Sequence, residues 1–244
     1  LNVTPDSFYD GGRTFQSNDA IARGYALIAQ GADVVDVGGE SSRPGAQPVD
    51  QREELRRVVS VVEGLAGETR LSIDTVKPAV AEAAVAAGAT LINDVSCTLS
   101  PLAARLGVAW VAMHRQGTPQ DMQAAPQYRD VVDEVFSFVL EGARQAAEEG
   151  VPEVWVDPGI GFGKTSEHNL RLLNHIASLV SACRDAGHAG VVIGTSRKRF
   201  LGTLVANGGG DPAPLDDRFE GSVATAVWAM SQGVKMVRVH DTAT

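Results

Sequence analysis

The chain has 244 residues, a net charge of -9 and 44% hydrophobic residues, which suits one domain spanning 1–244 with no Ser/Gly/Pro linker to divide it. The acidic balance argues against a nucleic-acid surface. No apolar stretch reaches the roughly 20 residues that span a bilayer, no signal peptide is visible, and Cys97 and Cys183 make neither a disulfide framework nor a metal-ligand spacing, so a cytoplasmic protein without membrane contact is expected.

Eight short apolar runs follow in chain order, each stopping on a polar residue or a glycine turn: Leu1-Asn2, VVDV before Gly38, LSI before Asp74, LI before Asn93, WVAM before His114, VWV before Asp157, VVIG before Ser196, and MV before Arg238 and His240. Helical segments lie between them. Leu55, Val58, Val59, Val62 and Leu65 mark one buried face, opened by Asp50 and Glu53 in a capping-box arrangement. Pro78 starts and Gly88 stops a second helix. Val132, Val135, Phe136, Val139, Ala143 and Ala146 predict a third that stops at Gly150, and Leu170, Leu173, Ile176, Ala177 and Val180 predict one more continuous helix. Alternating strand and helix imply parallel strands joined by right-handed crossovers.

A doubly wound sheet gives the same alternation. Eight runs, with chemically capable residues at nearly every end rather than at one switch point, favour a (β/α)8 TIM barrel, whose strand ends meet at one mouth. The chain begins two residues ahead of the first turn and finishes at Thr244, just after the eighth run. Most of strand one and the last helix are therefore expected to be missing.

Asp74, Asn93 and Asp157 each close a run; singly, each reads equally well as a helix cap. Together they form an acceptor set suited to a flat heterocycle bearing N–H donors. Glycines alternate through Asp157–Lys164, which lets backbone approach a planar ligand, and Phe162 adds an aromatic face. Arg43, Lys198, Arg238 and His240 are cations gathered at strand ends, suited to phosphate oxygens. Period-two alternation puts Arg238 and His240 on one strand face. His114 reads as readily as a structural hydrogen-bonding group as a ligand contact, and His168, His175 and His188 read as surface residues. No nucleophile–base pair and no Cys/His metal cluster stands out. Carboxylates for a nitrogen heterocycle and cations for a polyphosphate instead suit departure of pyrophosphate and capture of the carbocation left behind, driven by positioning and electrostatics.

The segments LNVTPDSF, DVGGESSRPGA, SIDT, INDVS, MHRQG, DPGIGFGK, GTSRKRFLG and RVHD, in that order over the whole chain, resemble the signatures of the dihydropteroate synthase family of pterin-binding enzymes. The resemblance implies a transferase of folate synthesis, targeted by sulfonamides, that joins 6-hydroxymethyl-7,8-dihydropterin diphosphate to 4-aminobenzoate. It implies that Asp74, Asn93, Asp157 and Lys198 hold the pterin, with Met113 and Phe162 lining the slot. Ser42, Arg43, Arg238 and His240 are implied for the diphosphate, and Asn2 for Mg²⁺. Asp10 and Pro44, with Phe162, Lys198 and Ser196, are implied for the aminobenzoate pocket. Lys198, Arg238, His240 and Asp10 thereby become the expected catalytic residues, and a homodimer through the late helices the expected assembly. Ser42 stands where the family commonly has Thr and keeps the hydroxyl. Two competitors stay open: a pterin-binding methyltransferase domain, which has no diphosphate to hold, and a homologue that binds pterin without turnover.

Overall fold

The structure is a computed structural model and describes residues 1–4, 17–41, 45–206 and 211–243. Helices and strands alternate as α1 (Ser17–Ala29), β1 (Val34–Gly38), α2 (Gln51–Leu65), β2 (Arg70–Asp74), α3 (Pro78–Ala86), β3 (Leu91–Asp94), α4 (Ser100–Leu106) and β4 (Ala109–Met113). They continue as α5 (Val131–Glu148), β5 (Val154–Asp157), α6 (Ser166–Asn174), α7 (Ile176–Asp185), β6 (Gly190–Ile193), α8 (Arg199–Val205), α9 (Phe219–Ser231) and β7 (Met236–Val237). The seven strands pair in sequential order, every pair parallel. Seven of the eight expected runs are thus strands. The first is a single parallel bridge from Asn2 to Gly38, made by Val3 N–H to Gly38 O at 2.7 Å and Gly38 N–H to Leu1 O at 3.1 Å. The sheet curls strongly, because Arg238, just after β7, bonds carboxylates of β1 and β2. This is the (β/α)8 TIM-barrel arrangement, with its first strand reduced to that bridge.

Two layers of apolar packing follow from the period of two along each strand. Outward residues such as Val35, Val37, Leu71, Ile73, Ile92, Trp110, Ala112, Val156 and Ile193 pack with the helices in one large core. Inward residues Leu91, Ala109, Val111, Trp155 and Val192, with Val34 and Met236 against them, form a smaller plug inside the curl. Below it Arg70 pairs both guanidinium nitrogens with Glu153 at 2.9 Å, and Glu153 also accepts from Trp155 Nε1 at 2.6 Å, which ties β2 to β5.

Helix ends differ from expectation in two places. Asp50 caps α2 by accepting from Arg52 N–H at 2.9 Å, but Glu53 does not return the bond; its carboxylate holds Arg56 and Arg57 instead, so the capping box is only half made. The predicted continuous helix through Leu170 and Val180 is two helices, α6 and α7, broken at His175. His175 leaves helical backbone at φ -102° and ψ 8°, and its Nδ1 lies 2.9 Å from Arg171 O. Apolar periodicity alone does not register such a break. Of the three histidines expected on the surface, His175 is exposed, whereas His168 and His188 are half-buried.

Candidate functional site

Two residues along each strand, the apolar plug gives way to polar groups: Val34 to Asp36, Leu91 to Asn93, Trp155 to Asp157 and Met236 to Arg238, while on β2 buried Ser72 leads to Asp74. Alternation and parallel register together therefore lift the functional side chains to one level. A single cleft is lined there by Asp74, Asn93, Met113, Asp157, Phe162, Lys198 and Arg238, with Val95, Gly159, Ile160 and Gly194 between them. Seven of the residues singled out from sequence meet at this place. Asp10, Ser42, Arg43 and Pro44 lie outside the described residues.

Arg238 is the electrostatic centre. Its Nε donates to Asp36 Oδ2 at 2.6 Å and its Nη2 to Asp74 Oδ2 at 3.0 Å, and Asn93 Nδ2 donates to the same Asp36 oxygen at 3.0 Å. Burial raises the Asp74 carboxyl to about 7, helped by the charge of Asp36 and opposed by Arg238. Burial also pushes Asp36 up, yet Arg238 beside it wins and leaves Asp36 below its ordinary value. One arginine thus sits between two neighbouring acids of which one is held below and the other well above the ordinary carboxylate value. Asp36, which holds Arg238 and Asn93 in place, was not marked by the sequence, since it lies inside the VVDV run rather than at its end.

Across the cleft, Asp157 Oδ1 accepts from Gly159 N–H at 2.7 Å. Burial raises the Asp157 carboxyl, while that bond and the charge of Lys198 pull it down. Lys198 Nζ sits 4.0 Å from the centre of the Phe162 ring, a cation–π contact at the lip. The loops after β6 and β7 are fastened together. Arg197, held at φ 55°, makes a two-pronged bond to Asp241 at 3.0 and 2.8 Å, and His240 Nδ1 lies 2.9 Å from Ser196 Oγ. This corrects the period-two expectation for His240. The strand stops at Val237, and His240 is exposed at the rim, paired with Ser196, while Arg238 alone enters the cleft.

A second hollow adjoins the first at Asp74 and Val95. Here Lys77 bridges Glu40 and Glu54, Thr75 Oγ1 donates to Glu54 at 2.7 Å, and Arg57 Nη1 donates to Gly39 O at 2.8 Å. Arg57 thereby holds the Gly39 carbonyl, and Lys77, anchored on buried Glu54 of α2, holds the Glu40 carboxylate, just ahead of Ser42 and Arg43. His114 is structural: buried, it faces Lys164 rather than the cleft. Among the described residues no group of three or more His, Cys, Asp or Glu is placed to hold a metal ion. Asn2, fixed by its bridge to Gly38, offers one amide oxygen, which fits an ion that takes most of its ligands from water and phosphate.

Comparison with known proteins agrees with this geometry. The sequence model of the family described as "Pterin binding enzyme" matches residues 1–240. A dihydropteroate synthase of Mycobacterium leprae is 46% identical over 250 residues, covering 99% of this chain and 86% of the relative. The Xanthomonas albilineans dihydropteroate synthase solved with 4-aminobenzoic acid superposes with a TM-score of 0.88 at 43% identity, over 99% of this chain and 86% of that one. The Thermus thermophilus enzyme in complex with 6HMPPP gives a TM-score of 0.80 at 39% identity, over 100% and 86%. With the whole length matched and the strand-end residues assembled around one cleft, the chain belongs to the pterin-binding enzyme family.

Proposed function

We propose that the chain carries out the reaction of these relatives, joining 6-hydroxymethyl-7,8-dihydropterin diphosphate to 4-aminobenzoate to give 7,8-dihydropteroate and pyrophosphate. The observation that carries this reading is the cleft itself, in which Asp74, Asn93 and Asp157 share one lining with Lys198, Arg238 and Phe162. The three acceptors hold the polar edge of the pterin, and Met113 and Phe162 take its faces. Arg238 draws the diphosphate, with His240 at the rim, while Lys198 over Phe162 borders the pterin and, with Ser196, the aminobenzoate. The C–O bond to the exocyclic methylene breaks, pyrophosphate leaves, and the electron-rich ring carries the positive charge at the methylene. The aniline nitrogen of 4-aminobenzoate then bonds to that carbon and loses a proton. Fixed cations around the departing oxygens supply the stabilisation such a step needs.

Ser42 and Arg43 are assigned to the diphosphate, and Asp10 and Pro44 to the aminobenzoate pocket, by motif alone. Mg²⁺, when bound, neutralises charge on the leaving group; Asn2 is the residue assigned to hold it. A cytoplasmic homodimer completes the reading. For the dimer, Val227, Trp228 and Met230 of α9 leave apolar surface exposed for a second copy to cover. Incubation with both substrates and Mg²⁺ tests the function. Dihydropteroate and pyrophosphate should form in equal amounts, with a sulfonamide competing against 4-aminobenzoate. Pterin binding without pyrophosphate release would reject the reading.

A further inference from the structure

Lys164 ends the Asp157–Lys164 segment and takes no part in the reaction described above. Its side chain is buried, at 2% exposure, and does not line the cleft. Nζ lies 3.0 Å from Gly159 O, 3.0 Å from Phe162 O, 2.9 Å from His114 Nδ1 and 3.4 Å from His114 O. An ammonium has three donors and no acceptor, so all of its bonds are spent on one turn and on the end of β4. The turn is wound closely around it. Gly159, Gly161 and Gly163 have φ of 67°, 83° and 63°, and a Cβ at Gly159 would fall 1.8 Å from His114 O.

Nδ1 of His114 can accept from Nζ only while it carries no proton. Burial, aided by the charge of Lys164, pushes His114 down to about 3, so the ring is neutral, and the tautomer with its proton on Nε2 is the one that lets Nδ1 accept. Phe138 meets the imidazole edge-on at 5.1 Å. Other groups grip the same turn from outside: Gln123 Nε2 donates to Gly161 O at 2.7 Å and Tyr128 Oη to Gly163 O at 2.8 Å. What the turn carries into the cleft is Asp157 at one end and Phe162 near the other.

We propose that Lys164, seated against His114, is a positioning residue that sets the shape of the pterin slot by pinning the Gly159–Phe162 turn, so that Asp157 and Phe162 keep their places in the cleft. The inference rests on the pterin reading given under Proposed function. Burial lowers the Lys164 amino group to about 7, yet its donors remain committed to the Gly159 and Phe162 carbonyls and to His114 Nδ1, and such a group fixes a loop more tightly than packing alone, because each carbonyl left without its donor carries a desolvation penalty.

Lys164→Met keeps the length of the side chain and removes its donors. The expected result in steady-state kinetics is a rise of about tenfold or more in KM for the pterin diphosphate, with kcat per folded molecule within about threefold of wild type, a split that positioning produces. A merely structural role would lower the thermal midpoint and the active fraction and leave KM unchanged. That result would overturn the proposal. Should Lys164→Met fail to fold, a pair of His114 variants decides: His114→Asn retains an acceptor near Nδ1 and should restore the wild-type KM, whereas His114→Leu removes it and should not. Equal KM values in those two variants would also overturn it. Turnover by the wild-type protein, measured alongside, separates the cases: no product from wild type removes the functional reading, while wild-type turnover with unchanged variant KM removes this inference alone.

Discussion

Replacing Asp36 with Asn tests whether the ionised acid inside β1 organises the site. One Asp36 oxygen accepts from Arg238 Nε at 2.6 Å and from Asn93 Nδ2 at 3.0 Å. The substitution keeps the shape and leaves one acceptor, but turns a charge-assisted bond into a neutral one, a loss of about 1–1.5 kcal/mol per bond. Two bonds are affected, giving roughly 1–3 kcal/mol in folding stability. The loss stays below the roughly 3–5 kcal/mol of a stranded buried charge, because Arg238 keeps Asp74 at 3.0 Å. Urea unfolding at pH 7 with an unchanged denaturant slope measures it. Freed from one anchor, Arg238 and Asn93 should hold the pterin diphosphate less well, with KM rising about tenfold, equivalent to about 1.4 kcal/mol. Stability within about 0.5 kcal/mol of wild type together with KM within about twofold would refute the reasoning, since surface substitutions alone give effects of that size.

Three further outcomes are expected. Asp157→Ala removes the acceptor opposite Lys198 and should weaken pterin binding by roughly 1–3 kcal/mol or more, read by calorimetry, because the pterin N–H groups lose their partner; unchanged affinity would remove that assignment. Arg238→Ala should weaken the diphosphate ester more than the free pterin alcohol, so comparing the two dissociation constants checks its role, and equal losses would contradict it. Asp74 has a carboxyl raised from the ordinary 3.8 to about 7, so the folded state binds more protons than the unfolded state between those values. Its contribution to stability is fully present below about pH 4 and is lost as pH rises through about 7. The stability difference between wild type and Asp74→Asn should therefore fall across that window, and a flat difference would show that Asp74 titrates as an ordinary carboxyl.

Much of the site was legible because barrel strands end where chemistry begins. A run stopping on Asp74, Asn93 or Asp157 announces both the strand and the residue that reaches the mouth, and the parallel register does the rest. Asp36 was hidden for the opposite reason: it interrupts its run. A lone carboxylate inside an otherwise apolar strand is the signal that could have found it, since an acid there needs a buried cation. That cation, Arg238, is 202 residues away, and no local pattern announces the pairing. Lys164 drew no role from sequence, because its burial arises from the loop closing over it and not from its neighbours in sequence. His240 was misplaced because the strand rule was extended past Val237, where the chain leaves the sheet and Ser196 sets its position. The break at His175 escaped for want of a Gly or Pro to mark it.

The most direct test of the account is a structure of this protein with the pterin diphosphate bound. The polar edge of the ring is expected against Asp74, Asn93 and Asp157, with the diphosphate beside Arg238 and the Ser196–His240 rim. A pterin seated elsewhere, or a diphosphate turned away from Arg238, would contradict it.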